Sequence, residues 1–553
     1  MRDFIAGPVS YAKEHKVGCS CFSILAALAF SMASRIHMVG TVADLTNYIS
    51  EPNLSTFFVF LGSFAICFPL IAMLGFAVSR ATLGPSDNAR RRVVFSGLTN
   101  CIFILLCVVV FCVCWSPYYL ACYPGGVFSD TFNAIRQVYW GGLNNQQPIL
   151  YTLMVGAFIK ASEATGHGLT VAIGAFCAVQ FLLMAYVCAV ILGRLRSACV
   201  PKVILLLSFL FFAFFPLVPA YAVSIWKDVP FTLALVMFCL ALYDAARARG
   251  TGSRSLLVLG LRLLIYGLLV AFFRNNGKFI VALAFLALAC LAFFRHGEGQ
   301  APFVATLGAL AVCCALAFTV QGPVYSRLGL NDTETTESIA IPMQQIAAIS
   351  KSDGSMSADE RAYVDTFLNA EDAKNYYNPC LFDLIKWYAP SYNGSVIGED
   401  MGKFIHVWAS LVARNPKIAL DAYAMGTCGF WAPNVASKDG YVSVSCWYNE
   451  FGLGNHDLLA GIGIHGASEA IQSIPPISAG IFAWVMLAAI AIALMERRWD
   501  AILGLLPLLA LWLTVMVATP VAVSLRYVYA LVLAVPMELE MLMAPSSRHG
   551  VSS

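Results

Sequence analysis

The sequence predicts an all-α polytopic membrane protein of about twelve spanning helices, a short non-crossing helix, and one inserted extracytoplasmic domain. Three observations predict it. Hydrophobic residues make up 59% of the chain and charged residues 12%. Apolar residues come in blocks of roughly 18–26, enough to cross about 30 Å of hydrocarbon at 1.5 Å per residue. The Lys and Arg residues between the blocks collect on one side, as cytoplasmic loops require. A soluble domain carries about 25% charged residues and has no core that could hide so much apolar surface. The mean hydropathy of +0.76 agrees. The net charge of +3 is too small to imply nucleic acid.

In chain order the candidate spans are 18–37, 56–79, 93–119, 168–193, 201–223, 229–246, 256–273, 277–294, 302–321, 476–495, 500–518 and 521–543. The first block begins near Val17, after Arg2, Lys13 and Lys16. It is too long for a signal-peptide core and has no cleavage site, so it reads as a retained span. The stretch 148–164 is apolar too, and charge arbitrates. If it does not cross, the N-terminus, 80–92, 194–202, 247–254, Arg295, Arg497, Arg498 and Arg548 all lie inside. If it crossed, the basic residues would divide between the faces. It is therefore expected to dip in from outside and return, or to lie along the interface, giving a multi-pass plasma-membrane protein with both termini inside.

That topology divides the chain into N-terminal helices (1–92), a transmembrane core (93–321) with an outer loop at 120–165, an extracytoplasmic domain (322–475), and C-terminal helices (476–553). The domain is rich in Asn, Asp, Tyr and Trp, with helical-looking stretches such as Met401–Val412. Cys380, Cys428 and Cys446 fall there, in a compartment where a disulfide can persist, with the pairing open. Most of the 18 cysteines lie instead inside apolar blocks, where a thiol packs as a small hydrophobe.

Charges near the outer surface away from that domain are few, and such residues are functional candidates. Asp130 follows a span and the turn Pro124-Gly125-Gly126, ahead of an amphipathic segment, Thr131–Trp140. It suits a helix N-cap or a general base. Lys227 and Asp228 occupy a tight hairpin, where Lys227 can snorkel and Asp228 can cap a helix with Pro230 in its first turn. An acid–base pair there also suits chemistry. Arg274 stands on the side where positive charge is disfavoured, and its planar fork matches a phosphate. Arg526, beside Tyr527, can pair with an acid, bind a lipid phosphate or anchor at the interface. His456-Asp457 and His465 lack a metal-ligand pattern. No GxSxG, P-loop, HExxH or metal-type CxxC is present, which removes several enzyme classes. Mid-span charges are nearly absent apart from Arg262, which disfavours a transporter.

Short strings across 95–530 carry a resemblance: Tyr123-Pro-Gly-Gly…Ser129-Asp130, Gln147-Pro148…Tyr151-Thr152, Trp226-Lys-Asp228, Phe273-Arg-Asn-Asn-Gly277, Ile341-Pro-Met-Gln-Gln345 and Arg526-Tyr527. Together they resemble the GT-C superfamily of membrane glycosyltransferases, closest to a bacterial branch seen mainly in Gram-positive genomes. Gln147 departs from the pattern, which often has His before the Pro. The helices of 18–79 look like an addition to the core.

The resemblance implies inverting transfer of a sugar from a polyprenyl-phosphate carrier to an envelope polysaccharide, glycolipid or protein on the outer face. Asp130 would be the general base and Asp228 a second catalytic carboxylate, able to hold a divalent cation. Lys227, Arg274 and Arg526 would bind the donor phosphate. Arg136, Gln147, Asn275, Asn276, Gln344 and Gln345 are the candidate substrate-binding residues, and the domain 322–475 would cover the cleft. The competing readings are a transporter or lipid flippase, and a surface-polysaccharide polymerase or ligase.

Overall fold

A computed structural model describes residues 2–545 except 41, 46–48, 50, 52, 83–96, 249–252, 295–299, 331–337, 439–441 and 443. Several residues of the inside loops, among them Arg90, Arg91, Arg92, Arg249, Arg295 and Arg548, lie outside the described residues.

The apolar blocks fold as helices. Among the described residues eight are long and apolar enough to cross a membrane: Lys16–Ala33, Leu54–Thr82, Thr99–Ala121, Leu169–Ser197, Asp228–Arg247, Ser253–Phe273, Val304–Arg327 and Trp499–Val517. Three shorter apolar helices, Lys202–Phe214, Gly277–Phe293 and Ala479–Met495, and a last helix, Tyr529–Met543, accompany them. Burial orders the bundle. Asp228–Arg247 is 89% buried over its apolar window, whereas Leu54–Thr82 and Thr99–Ala121 are 17% buried. The first is therefore the axis. The others present Leu, Val and Phe outward, as a helix facing hydrocarbon must.

Two expected spans are shorter than the sequence suggests. The block 201–223 breaks after Phe214: Phe215 is extended and Pro216 starts a separate turn, Leu217–Ala222. Proline offers no N–H to continue the ladder. The block 521–543 begins with a 3₁₀ turn, Leu525–Val528, and only then becomes the helix Tyr529–Met543. Arg526 therefore sits on a connection, not within a span.

The stretch 148–164 is the helix Ile149–Ala164, 16 residues or about 24 Å long. Gln147, before its first turn, touches Asp130 and Lys227. After its last turn the chain enters Leu169–Ser197, whose Gly174 carbonyl accepts from the Tyr119 hydroxyl at 3.0 Å. Tyr119 lies four residues before Tyr123, on the approach to Asp130. Both ends of Ile149–Ala164 thus stay at the end of the bundle that carries Asp130.

The described residues of 338–476 form short helices and loops; those from Ile339 to Leu411 have a hydrophobic cluster of their own, built on Ile339, Met343, Ile346, Phe367, Phe382, Phe404 and Leu411, and the later ones pack on the helices. Local capping explains its helices. Ser357 and Glu360 make a reciprocal capping box, and Asp400 caps Met401–Arg414 through the Lys403 amide. The sequence analysis did not anticipate the small hairpin Ile36–Val39 with Val42–Leu45.

Candidate functional site

The site is assembled by a turn that only glycine permits. After a cis Tyr123–Pro124 bond, Gly125 has φ +122, and a Cβ there would lie 2.8 Å from the Val223 carbonyl. That close approach lets Gly126–Val127 pair in parallel with Ser224–Ile225. Thr131 extends the join by donating to the Ile225 carbonyl at 2.6 Å, and its hydroxyl lies 2.8 Å from that of Tyr151. Phe128 stacks on Trp226 with centroids 4.1 Å apart. Asp130 and Lys227, nearly a hundred residues apart, are thereby set face to face.

Asp130 does not cap its own helix. Phe128 holds the N-cap position of Ser129–Trp140, and no side chain caps it. The Asp130 carboxylate instead accepts from Arg526 Nη1 at 3.0 Å and from Gln147 Nε2 at 3.2 Å, and lies 3.4 Å from Lys227 Nζ. Lys227 donates to Gln147 Oε1 at 2.6 Å. Gln147 therefore bridges acid and base, a task for an amide that both donates and accepts. Burial alone would raise the Asp130 pKa. Lys227 and Arg526 overcome it and hold the carboxyl well below the usual carboxylate range.

A second pair lies beside the first. Arg274 Nε stands 3.7 Å from Asp228 Oδ1, and its Nη1 donates to the Tyr527 carbonyl at 2.8 Å. Arg526 Nη2 reaches the Tyr527 hydroxyl at 3.3 Å, so Tyr527 joins the two arginines. Both guanidinium groups also lie over aromatic faces, Arg526 over Trp226 and Tyr527, and Arg274 over Phe231 and Tyr527. The Arg274 hairpin is tight because a Cβ at Gly277 would lie 2.0 Å from the Val270 carbonyl. Asp228 is no cap either. It is 1% exposed, and neither carboxylate oxygen has a hydrogen-bond partner among the described residues. Two buried donors are equally without partners there, Arg526 Nε and Trp226 Nε1. Unsatisfied buried groups are rare in native proteins and call for a ligand or a role.

The remaining candidates fall into two groups. Asn275 and Asn276 stay near, donating to the Asn145 carbonyl and to Thr514 Oγ1. Three others point elsewhere. Arg136 pairs with Glu450 and Asn133, tying the segment after residue 444 to the Asp130 helix. Gln344 donates to the Asn378 carbonyl and Gln345 to that of Ala419, as internal bonds of the 338–476 unit. Trp408 Nε1 also donates to Gln345 Oε1 at 2.8 Å, and Gln344 Oε1 is buried without a hydrogen-bond partner among the described residues. His456 takes a structural place through its backbone amide, which donates to the Tyr123 carbonyl at 2.6 Å. Among the described residues no group of three or more His, Cys, Asp or Glu is placed to hold a metal ion.

Trp226, Tyr527 and Glu450 join the site without having stood out in the sequence. An aromatic residue adjoining each cation, Trp226 before Lys227 and Tyr527 after Arg526, was the available signal. Buried charge also lies within the helices. Glu538 is 2% exposed in Tyr529–Met543, and its carboxylate has no hydrogen-bond partner among the described residues.

A family profile described as a family of unknown function, DUF6020, matches residues 141–552, three-quarters of the chain. The chain belongs to the DUF6020 family. The matched region holds Lys227, Asp228, Arg274 and Arg526, whereas Asp130 lies before it. No curated protein and no solved structure shows significant similarity to this chain.

Proposed function

We propose that this DUF6020 protein is a membrane glycosyltransferase that moves a sugar from a polyprenyl-phosphate carrier to an acceptor on the outer face. The observation that carries the reading is the convergence of Asp130, Gln147, Lys227 and Arg526, with Arg274 and Asp228 adjoining, from separate connections. This cluster of three cations and two carboxylates leaves buried donors and acceptors without hydrogen-bond partners among the described residues, and a lipid phosphate with an acceptor hydroxyl would supply them. The resemblance to GT-C enzymes points the same way. So do the unpartnered Arg526 Nε and Trp226 Nε1, which are donors available to a phosphate oxygen.

The chemistry follows from the ion pairs. An incoming donor phosphate competes with the Asp130 carboxylate for Lys227 and Arg526. Once displaced, Asp130 loses the cations that depress its pKa and becomes a better base. The acceptor oxygen then attacks the anomeric carbon, its proton passes to Asp130, and the bond from that carbon to the phosphate oxygen breaks. Lys227, Arg274 and Arg526 take the negative charge that grows on the leaving phosphate. Asp228 orients Arg274. Asp228 alone, with Arg274 facing its Oδ1 at 3.7 Å, offers few ligands to a divalent ion, and the steps above use the protein's own cations.

In this reading the eight long helices, the three shorter apolar ones and Tyr529–Met543 together make twelve crossings of the bacterial plasma membrane. Both termini are inside, and 338–476 lies outside over the cleft. The substitution Asp130→Asn tests the proposal. It keeps size and removes charge, so transfer from a polyprenyl-phosphate sugar in proteoliposomes should fall roughly 10²-fold or more with folding intact. Full activity would return Asp130 to a structural role. One observation favours a transporter instead, the buried and unpartnered Glu538 within a spanning helix.

A further inference from the structure

Cys380, Cys428 and Cys446 occupy different places. Cys446 Sγ lies 3.2 Å from the Gly125 carbonyl, beside the Asp130 turn. Cys380 and Cys428 meet each other: their sulfurs are 3.9 Å apart and the residues are 1% and 0% exposed. They share one apolar cluster with Met425, Trp431 and Val523. We propose that Cys380 and Cys428 form a disulfide that ties together the two segments of the 338–476 unit whose backbone holds the connection leading to Arg526.

The argument lies in what the two cysteines enclose. Ala522 donates its amide to the Cys380 carbonyl at 2.8 Å, and Gly429 donates to the Ala522 carbonyl at 3.2 Å. Phe382 donates to the Pro520 carbonyl at 2.8 Å. Residues 520–522 are thus hydrogen-bonded from both sides by the chain on which the cysteines sit. Gly429 allows this contact, since a Cβ there would lie 2.5 Å from the Ala522 carbonyl. Four residues further on, Arg526 reaches Asp130. Joining the sulfurs closes a loop of 48 residues and removes freedom from the unfolded chain.

The redox chemistry balances by thiol–disulfide exchange. One cysteine thiolate attacks a disulfide of an exchange partner, either a thiol oxidoreductase or a small-molecule disulfide. The second cysteine then displaces the partner's sulfur from the mixed disulfide. The chain loses two hydrogens and the partner leaves as the reduced dithiol. Because both thiols are buried, exchange belongs to folding, before 520–522 seals them in. The inference rests on the proposed outer location of 338–476, where disulfides persist.

The test is peptide mass mapping of the full-length protein, taken from membranes into denaturant with iodoacetamide and no reductant. The peptides of Cys380 and Cys428 should appear cross-linked and separate only on reduction, while Cys446 alkylates throughout. In Cys380→Ser the Cys428 thiol should become alkylatable. Full alkylation of both in the wild-type chain overturns the disulfide. A parallel label separates that failure from failure of the topology: a membrane-impermeant maleimide is applied to cells carrying Ser352→Cys, an exposed position in the same unit. Free thiols with Ser352→Cys labelled from outside sink the disulfide alone. Free thiols with that position protected sink it together with the assigned sidedness.

Discussion

Two charge clusters stand at opposite ends of the same helices, and they are built differently. At the far end, Arg194 forks across two carboxylates: Asp244 through both Nη atoms at 2.7 and 3.1 Å, and Glu540 through Nε at 3.0 and 3.1 Å. Arg262 adds a bond to Asp244 at 2.9 Å, and Arg247 joins Asp500 at 3.0 Å. These side chains project from helices, and Arg194 spends its fork on two carboxylates; Arg498 is the exception, its Nε and Nη2 near Asp500 having no hydrogen-bond partner among the described residues. At the near end, Asp130, Lys227, Arg274 and Arg526 sit on turns, helix starts and hairpins. Arg526 Nε, Trp226 Nε1 and both Asp228 carboxylate oxygens have no hydrogen-bond partner there among the described residues, with Arg274 no nearer Asp228 than 3.7 Å. The contrast teaches that charge at a bundle end is not itself a sign of function. A network that satisfies itself holds helices together, and one left incomplete is set up for a ligand.

Paired substitutions break or sharpen that contrast. The largest expected effect is at the incomplete end. Arg526→Gln should lower transfer by roughly 10²-fold or more, since it removes a cation facing the leaving phosphate. Its thermal midpoint should stay near wild type, because Asp130 keeps Lys227 and Gln147. Next is Arg194→Gln, which takes from Glu540 the guanidinium it pairs with, and the Glu540 side chain is 4% exposed. A buried charge left unpaired costs about 3 kcal/mol, read as a lower thermal midpoint, with transfer per folded molecule unchanged. The reverse pattern in the two variants would exchange the roles assigned to the two ends.

Smaller effects sharpen the near end. Arg274→Lys keeps the charge and loses the planar fork, so donor binding should weaken by about 1–2 kcal/mol, the scale of one charged hydrogen bond. Unchanged affinity would mean that Arg274 only anchors at the headgroups. pH supplies a finer check. The Asp130 carboxyl titrates lower when folded than when unfolded, so its pairing stabilises fully above the ordinary carboxylate pKa. That contribution fades only as pH falls through the lower folded value. The difference in midpoint between wild type and Asp130→Asn should therefore stay flat from about pH 5 to 8. A slope in that window would show that the two cations do not control Asp130. The smallest effect is expected at Glu538→Gln, with transfer kept within about twofold. Loss of activity there would turn attention to a proton-linked transporter.

The helices were legible because each apolar block is continuous. The Asp130, Lys227, Arg274 and Arg526 candidates were legible because charge is scarce at apolar hairpins. Their partners were not. Asp130 and Arg526 meet across 396 residues, and no periodicity reports a contact of that range. Gln147 drew notice as a substituted residue, yet its bridging of Asp130 and Lys227 depends on the Gly125 turn and the paired backbone at Ser224–Ile225. Gln344 and Gln345 misled for a related reason. A Gln pair on a helix start looks like a ligand site until the backbone carbonyls of Asn378 and Ala419 arrive opposite. Glu538 and Glu540 lie inside the expected span 521–543, where they were legible as mid-span acids, and packing buries both.

The central claim is that donor phosphate and Asp130 compete for Lys227 and Arg526. The direct measurement is the affinity of purified wild-type and Asp130→Asn protein for polyprenyl phosphate. The account predicts that Asp130→Asn binds it several-fold more tightly while failing in transfer, because the resident anion no longer holds the cations. Equal or weaker binding by Asp130→Asn would contradict it.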